Sequence, residues 1–263
     1  MATKLETRSL SKTFVKATGG QVEALRDISL QIQDGEFASI VGASGCGKTT
    51  FLRILDGLID KSSGDIMLDG QQVTRPGPDR GFVFQSDSLF PWRTVIDNVL
   101  FGLEVQGKPK KPSTERAMEF IKLVGLEGFE KHYPHELSGG MRQRANLARA
   151  LTVNPELLLM DEPFAALDAQ TREIMQQELL RIWRVNQKTV VFITHQIDEA
   201  IYLADRVFVF TVRPGRVKTV IPIPFSRPRS LDIKRTPEFI GYVDQVWKLI
   251  EEEVRQSVMA GES

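Results

Sequence analysis

The clearest chemistry in the sequence lies in eight residues, GASGCGKT at 42–49. Gly42, Gly45 and Gly47 allow the backbone to curl until successive N–H groups point inward at phosphate oxygens, and a following helix adds the positive end of its dipole. Lys48 is then placed to reach the β- and γ-phosphates of a nucleoside triphosphate, and the Thr49 hydroxyl to ligate Mg²⁺. Ala43, Ser44, Cys46 and Thr50 complete the expected nucleotide contacts of this loop. Residue usage alone would produce the bare pattern in roughly one chain in a hundred of this length. The flanking context decides the matter: the apolar run Phe37–Val41 precedes the loop, and Phe51, Ile54, Leu55 and Leu58 recur behind it at helical spacing. Cys46 sits beside Lys48 at a helix N-terminus, which should favour its thiolate and make nucleotide binding sensitive to alkylation; the other reading is a small residue filling the turn.

A second constellation, LLLMDE at 157–162, ends an apolar strand in two carboxylates, at the edge where open parallel sheets bind ligands. Asp161 is expected to hold Mg²⁺ through water and Glu162 to polarise an attacking water. Such a strand end is also common as the start of a solvated loop, and the phosphate loop is what tips the balance.

Short apolar runs at 28–33, 37–41, 81–85, 157–161, 189–194 and 207–212 read as strands, most of them as strands of a parallel sheet covered on both faces. Helical spacing links Ala117, Phe120, Ile121 and Val124, and also Met175, Leu179 and Ile182 behind a cap at Asp168. The stretch from Ser86 to about Pro155 interrupts the strands with mostly helical sequence, as an inserted subdomain would. Residues 213–236, rich in proline and arginine, read as a surface crossing. Thr236–Pro237 then starts a last helix with Ile240, Val243, Trp247, Ile250 and Val254 on one face, read as core packing rather than a partner site. One large α/β domain with a subdomain is the expectation for 263 residues, two small domains the alternative. Lys plus Arg and Asp plus Glu balance at 34 each, which leaves no net field for a polyanion and argues against a nucleic-acid partner. A single cysteine excludes an internal disulfide framework. No stretch approaches the ~20 apolar residues of a membrane span, so action at a membrane would need another chain.

The series LSGGMRQR at 137–144, LLLMDEP from 157 and ALD at 166–168 resembles the signature, Walker B and D-loop of ABC ATPases, in matching order over almost the whole chain. That resemblance implies a P-loop NTPase (RecA-like) α/β core with a mainly parallel sheet, an N-terminal antiparallel β portion and an inserted α-helical subdomain. The implied division is 1–85 and 156–235 for the nucleotide-binding core, 86–155 for the helical subdomain and 236–263 for the C-terminal helix. It also implies Phe14 stacking on adenine, Gln85 as the Q-loop glutamine at Mg²⁺ and the reacting phosphate, and His195 as the switch histidine. ATP would lie between two subunits packed head to tail, one offering Lys48 and the other Ser138, Gly139 and Gly140, with Asp168 close by. One phosphate loop, one signature and about fifty residues between Gln85 and that signature disfavour the tandem and coiled-coil branches.

PGPDRGFVFQSDSLFPWRTVIDNVLFGL at 76–103, DEPFAALDAQTR at 161–172 and PGRV at 214–217 resemble the nitrate, sulfonate, taurine and bicarbonate importer group. The implied partners are a second ATPase subunit, a transmembrane permease docking near Phe90, Pro91 and Trp92, and, indirectly, a periplasmic or lipoprotein solute-binding protein. The implied place is the cytoplasmic face of the inner membrane. Gln196, Met141 and Ala165 depart from residues common in the family, none at a group that touches phosphate. An ABC ATPase serving an assembly machine, or a nucleotide sensor without useful turnover, are the competing readings.

Overall fold

The computed structural model describes residues 2–16, 19–86 and 88–259, without the side chains of 186 and 257–259. Position 87, inside the expected helical stretch, and 260–263, the end of the expected last helix, lie outside the described residues. In chain order the elements are β1 (Thr3–Val15), β2 (Gln21–Gln33), β3 (Phe37–Val41), α1 (Lys48–Asp56), β4 (Ser63–Leu68), β5 (Gln71–Gln72), β6 (Arg80–Val83), α2 (Val95–Val105) and α3 (Lys110–Leu123). There follow α4 (Gly139–Thr152), β7 (Leu157–Asp161), α5 (Ala169–Asn186), β8 (Thr189–Ile193), α6 (Ile197–Leu203), β9 (Arg206–Phe210), β10 (Val217–Pro222) and α7 (Pro237–Met259).

Two compact units result, Met1–Gly77 with Thr189–Ser263, and Pro78–Lys188. The division falls elsewhere than the expected boundaries at 85 and 155, because β6, β7 and α5 group with the helical stretch.

The first unit holds an antiparallel sheet in the order β2-β1-β4-β5. Beside it, β9, β3 and β8 run parallel and β10 closes antiparallel on β9. Ile28, Leu30 and Ile32 of β2 are buried in alternation, as expected, and all five residues of β3 are buried. α1 lays Phe51, Leu52, Ile54 and Leu55 inward, with the Phe51 ring 5.6 Å from Phe210. Each such side chain taken out of water contributes about 1.5–3 kcal/mol. Leu58, expected on that stripe, is exposed instead: Gly57 takes the left-handed conformation (φ 81°) and ends the helix one residue earlier.

Two further expectations in this unit need correction. The crossing at 213–236 contains strand β10 and a short 3₁₀ turn at Leu231–Arg235. On α7 the buried line is Phe239 and Val246, whereas Ile240, Trp247 and Val254 of the expected core stripe are exposed. At ~100° per residue a one-position offset turns a stripe toward solvent. The Phe225 ring stacks on Phe239, and Glu253 binds Lys218 at 2.9 Å, so the core-facing side of α7 was set by residues adjacent to the predicted ones.

The second unit pairs β6 and β7 in parallel and carries α2, α3, α4 and α5. Ala117, Phe120, Ile121 and Val124 are buried, as are Met175, Leu179 and Ile182. Asp168 caps α5 by accepting from Thr171 N at 3.0 Å. That bond and the one from the Thr171 hydroxyl hold the Asp168 carboxyl below the usual carboxylate range.

Candidate nucleotide site

Each unit carries one part of the expected machinery. In the first, the buried strand β3 feeds the loop 42–47 directly into α1. Gly47 is the N-cap of α1 at φ 102°, and a Cβ there would stand 2.7 Å from Leu25 Cδ2 and 2.8 Å from the Ala24 carbonyl. Glycine is therefore required twice over, by conformation and by space. Lys48 is buried, and its ammonium donates to the carbonyls of Gly42 (2.8 Å) and Ala43 (3.0 Å), so the loop folds around its own lysine. α1 begins directly behind the loop, so the positive end of its dipole faces an anion held there.

Behind the loop stands a buttress that the sequence showed only as a branch marker. Arg213 donates from Nε and Nη2 to the Gly45 carbonyl at 3.2 and 3.0 Å. Gly215 exchanges backbone hydrogen bonds with the β2 strand, to Ala24 O at 2.9 Å and from Arg26 N at 3.0 Å. A side chain at 215 would collide with the Cys46 carbonyl.

Cys46 itself overturns an expectation. It is 1 % exposed, and burial pushes its thiol above the ordinary range despite the opposing pull of Lys48, whose Nζ lies 3.7 Å from Sγ. Desolvation outweighs the nearby cation, and the thiol stays neutral.

β8 runs parallel to β3 with Ile40 opposite Ile193, and Thr194 N donates to Ile40 O at 3.3 Å. This register brings His195, exposed just past the strand, to the same carboxyl edge as the phosphate loop. Phe14, on β1 opposite Val22, is 38 % exposed and has the Lys12 ammonium 4.8 Å from its ring centre; a core role is excluded.

In the second unit the parallel register of β6 and β7 (Val83 opposite Met160) carries Gln85 and Glu162 off the same edge, two residues past the pairing. Their side chains meet, Gln85 Nε2 donating to Glu162 Oε2 at 3.2 Å. Asp161 is 3 % exposed at the end of β7. Glu162 follows at φ 46°, a left-handed conformation that costs a non-glycine residue about 1–3 kcal/mol and concentrates at functional sites.

Ser138 caps α4, its hydroxyl oxygen accepting from Met141 N at 3.3 Å, while Gly139 and Gly140 open the helix with amides that have no intrahelical acceptor. Ser138 and Gly139 are exposed, as a surface meant for a ligand from outside would be. Trp92 is 72 % exposed, whereas Phe90 packs against Phe101 at 4.6 Å between centroids. The fully buried Asn98 holds that turn, accepting from Phe90 N (2.7 Å) and donating to the carbonyls of Phe90, Arg93 and Thr94.

Among the described residues no group of three or more His, Cys, Asp and Glu could hold a metal ion. In the second unit Asp161 is a single buried carboxylate at a strand end, a donor of the kind that suits Mg²⁺ bound chiefly by phosphate and water.

A parallel-strand edge, a glycine-cornered phosphate loop with its buried lysine, and an acidic strand end define a P-loop ATPase. The family model described as ABC transporter matches residues 25–165, more than half of the chain. The chain is 52 % identical over 98 % of its length, and 95 % of the relative's, to an uncharacterized ABC transporter ATP-binding protein of Methanocaldococcus jannaschii. It is 47 % identical, over 94 % of both chains, to the nitrate import ATP-binding protein NrtD of Synechocystis. It is also 47 % identical to the taurine import ATP-binding protein TauB of Rhizobium johnstonii, over 89 % of this chain and 91 % of that one. Among solved structures, the dimeric cassette MJ0796 superposes with a TM-score of 0.74 at 33 % identity, covering 84 % of this chain and all of that one. The same cassette bound to ADP and phosphate in a post-hydrolysis state fits equally well. The chain belongs to the ABC transporter family, as an ATP-binding subunit that hydrolyses ATP.

Proposed function

We propose that this chain powers a bacterial-type ABC importer for a small anion of the nitrate, sulfonate, taurine or bicarbonate class. It would work as an ATP-sandwiched dimer docked on a transmembrane permease at the cytoplasmic face of the membrane. The observation that carries this reading is the near end-to-end identity with nitrate and taurine import subunits, at 47 % in both cases. Against the assembly-machine alternative stands the exposed Trp92 beside the packed Phe90, an apolar contact suited to a short helix of a permease.

ATP is the substrate. Lys48 and the amides of the phosphate loop hold its β- and γ-phosphates, Phe14 offers its exposed ring to the adenine, and Ser138, Gly139 and Gly140 of the second subunit bind the γ-phosphate from the other side. Thr49, Gln85 and Asp161 would hold Mg²⁺, which when bound neutralises charge on the phosphate oxygens. Glu162, positioned by Gln85, accepts a hydrogen bond from a water whose oxygen attacks the γ-phosphorus, takes up the proton that the water loses, and returns it to the departing phosphate. The bond to the bridging β–γ oxygen breaks, ADP and phosphate leave, and His195 stabilises the γ-phosphate during transfer. With the γ-phosphate gone, the contacts that join the subunits are lost and the dimer opens.

Glu162→Gln is expected to keep ATP affinity and lower turnover by about 10²-fold or more, since positioning and electrostatics carry this chemistry. Steady-state phosphate release and ATP-dependent dimer formation, read on the same sample, test it. Turnover within a few-fold of the parent would remove Glu162 from its role. Co-purification of the permease from membranes separates the importer reading from the assembly-machine one.

A further inference from the structure

Two arginines of the 213–236 crossing, Arg227 and Arg229, are not plain surface charge. Arg229 is 7 % exposed, and its Nη1 donates to the carbonyls of Ile201 (3.1 Å), Tyr202 (2.9 Å) and Ala204 (2.8 Å). Its Nε and Nη2 donate to the Phe225 carbonyl at 3.2 and 3.1 Å, and the Tyr202 hydroxyl donates back to Arg229 O at 3.1 Å. Arg227 Nη2 donates to the remaining carbonyl of the helix end, Leu203, at 2.6 Å. Every carbonyl from 201 to 204, the set that a helix C-terminus leaves unpaired, therefore receives an arginine N–H. Two cations at this end also complement the negative pole of α6. Burial lowers the Arg229 pKa to about 10, with the charge of Arg227 adding to the effect, so the guanidinium remains charged at neutral pH.

The same segment reaches both neighbours of α6. Arg227 binds Asp205 Oδ1 at 2.8 and 3.0 Å, and Asp205 Oδ2 accepts from Phe37 N at 2.9 Å, at the start of the strand that feeds the phosphate loop. Lys234 lies 3.6 Å from Asp198 in the first turn of α6 and 4.9 Å from the Tyr202 ring centre. α6 needs such support. It has seven residues, shorter than a helix that holds itself in water, and its N-cap, Gln196, makes no side-chain capping bond. His195 is the residue immediately before that cap.

We propose that Arg229, seconded by Arg227, is the positioning residue for His195. By fixing the C-terminal carbonyls of α6 against the strand of the phosphate loop, it sets where the other end of the helix, and the histidine on it, stands during hydrolysis. This rests on the role given to His195 above.

Arg229→Met removes the forked donors and keeps the length of the side chain. In the assembly that turns over Mg-ATP, subunit alone or reconstituted transporter, kcat is expected to fall about tenfold or more, with ATP affinity within about twofold of the parent. Arg229→Lys should be intermediate. In a His195→Ala background the same substitution should cost little further, because the two residues act through one displacement. An undiminished kcat in folded Arg229→Met, or a full additional loss on top of His195→Ala, would overturn the proposal. If Arg229→Met does not fold, Arg227→Met, which frees one carbonyl of the helix end, Leu203, and the Asp205 carboxylate, enters the same cycle with a smaller expected loss and the same two overturning results. A His195→Ala protein that turns over like the parent sinks the histidine's role and this proposal together, a result distinct from failure of the arginine alone.

Discussion

Cys46 and Gly215 show how far one residue's surroundings can override its chemical type. A cysteine at a helix N-terminus beside a lysine reads as a thiolate, yet its side chain is buried, and desolvation is the larger effect. Iodoacetamide is therefore expected to label the folded protein more slowly at pH 7 than it labels free cysteine; labelling at the free rate would contradict the burial. The sign of the stability effect follows from linkage. The folded-state pKa is above the ordinary 9.0, so the folded form keeps its proton longer, and stability is intact below that value and declines as pH rises toward the folded pKa. Urea midpoints between pH 8 and 10 should fall more steeply for the parent than for Cys46→Ala, and parallel curves would refute this. Gly215→Ala probes the buttress. Its Cβ would meet the Cys46 carbonyl, part of the backbone, so the loop must shift. ATP affinity should weaken about tenfold, ~1.4 kcal/mol, whereas Gly241→Ala, with no heavy atom near its Cβ, should bind as the parent does. Equal affinities in the two variants would separate Gly215 from the loop.

At the scale of elements, the N-terminus of α6 offers a direct test of what holds it. Gln196 occupies the cap in extended conformation without a capping bond, and aspartate or serine there would accept an amide of the first turn. Gln196→Asp is expected to raise stability by about 1 kcal/mol, read as a higher urea midpoint at unchanged slope; no rise would mean the arginines already hold the helix fully. The same element shows where sequence reading stops. Strands β3 and β7 were legible residue for residue, because fully buried runs between turn signals admit little else. β1 was not: its buried positions Lys4, Leu5, Thr7 and Leu10 break the two-residue period at Lys4 and again at Ser9, which stands at φ 46° where the register to β2 shifts. Lys48, Thr49, Asp161 and Glu162 declared their chemistry by type and spacing, whereas Gln85, His195 and Phe14 carry no pattern of their own and entered only through the family resemblance. Arg227 and Arg229 escaped notice because an arginine beside proline has the composition of a surface loop, and only the fold reveals which carbonyls it meets.

For the molecule as a whole, the division of labour between surfaces has a consequence that can be counted. The phosphate loop and the capped start of α4 are both N-termini offering amides to an anion, and in the proposed dimer each ATP meets the loop of one subunit and the Ser138 end of the other. A subunit carrying Lys48→Ala has an intact Ser138, and one carrying Ser138→Arg has an intact Lys48. Each variant alone forms dimers in which every site is damaged. Mixed, half the dimers are hybrids if association is random. In a hybrid both lesions fall on one site and leave the other whole. For independently working sites the mixture should then recover about a quarter of the parental rate per subunit, since half the dimers carry one of two sites, a count that follows from two-fold symmetry. Phosphate release after mixing equal amounts of two silent variants is the measurement. Recovery near that level supports a site shared between subunits. Hybrids that form, by light scattering or crosslinking, and yet stay silent would mean that both sites must be intact for either to turn over. Activity in the Ser138→Arg protein by itself would show that α4 takes no part in holding the γ-phosphate, and the shared site would have to be abandoned.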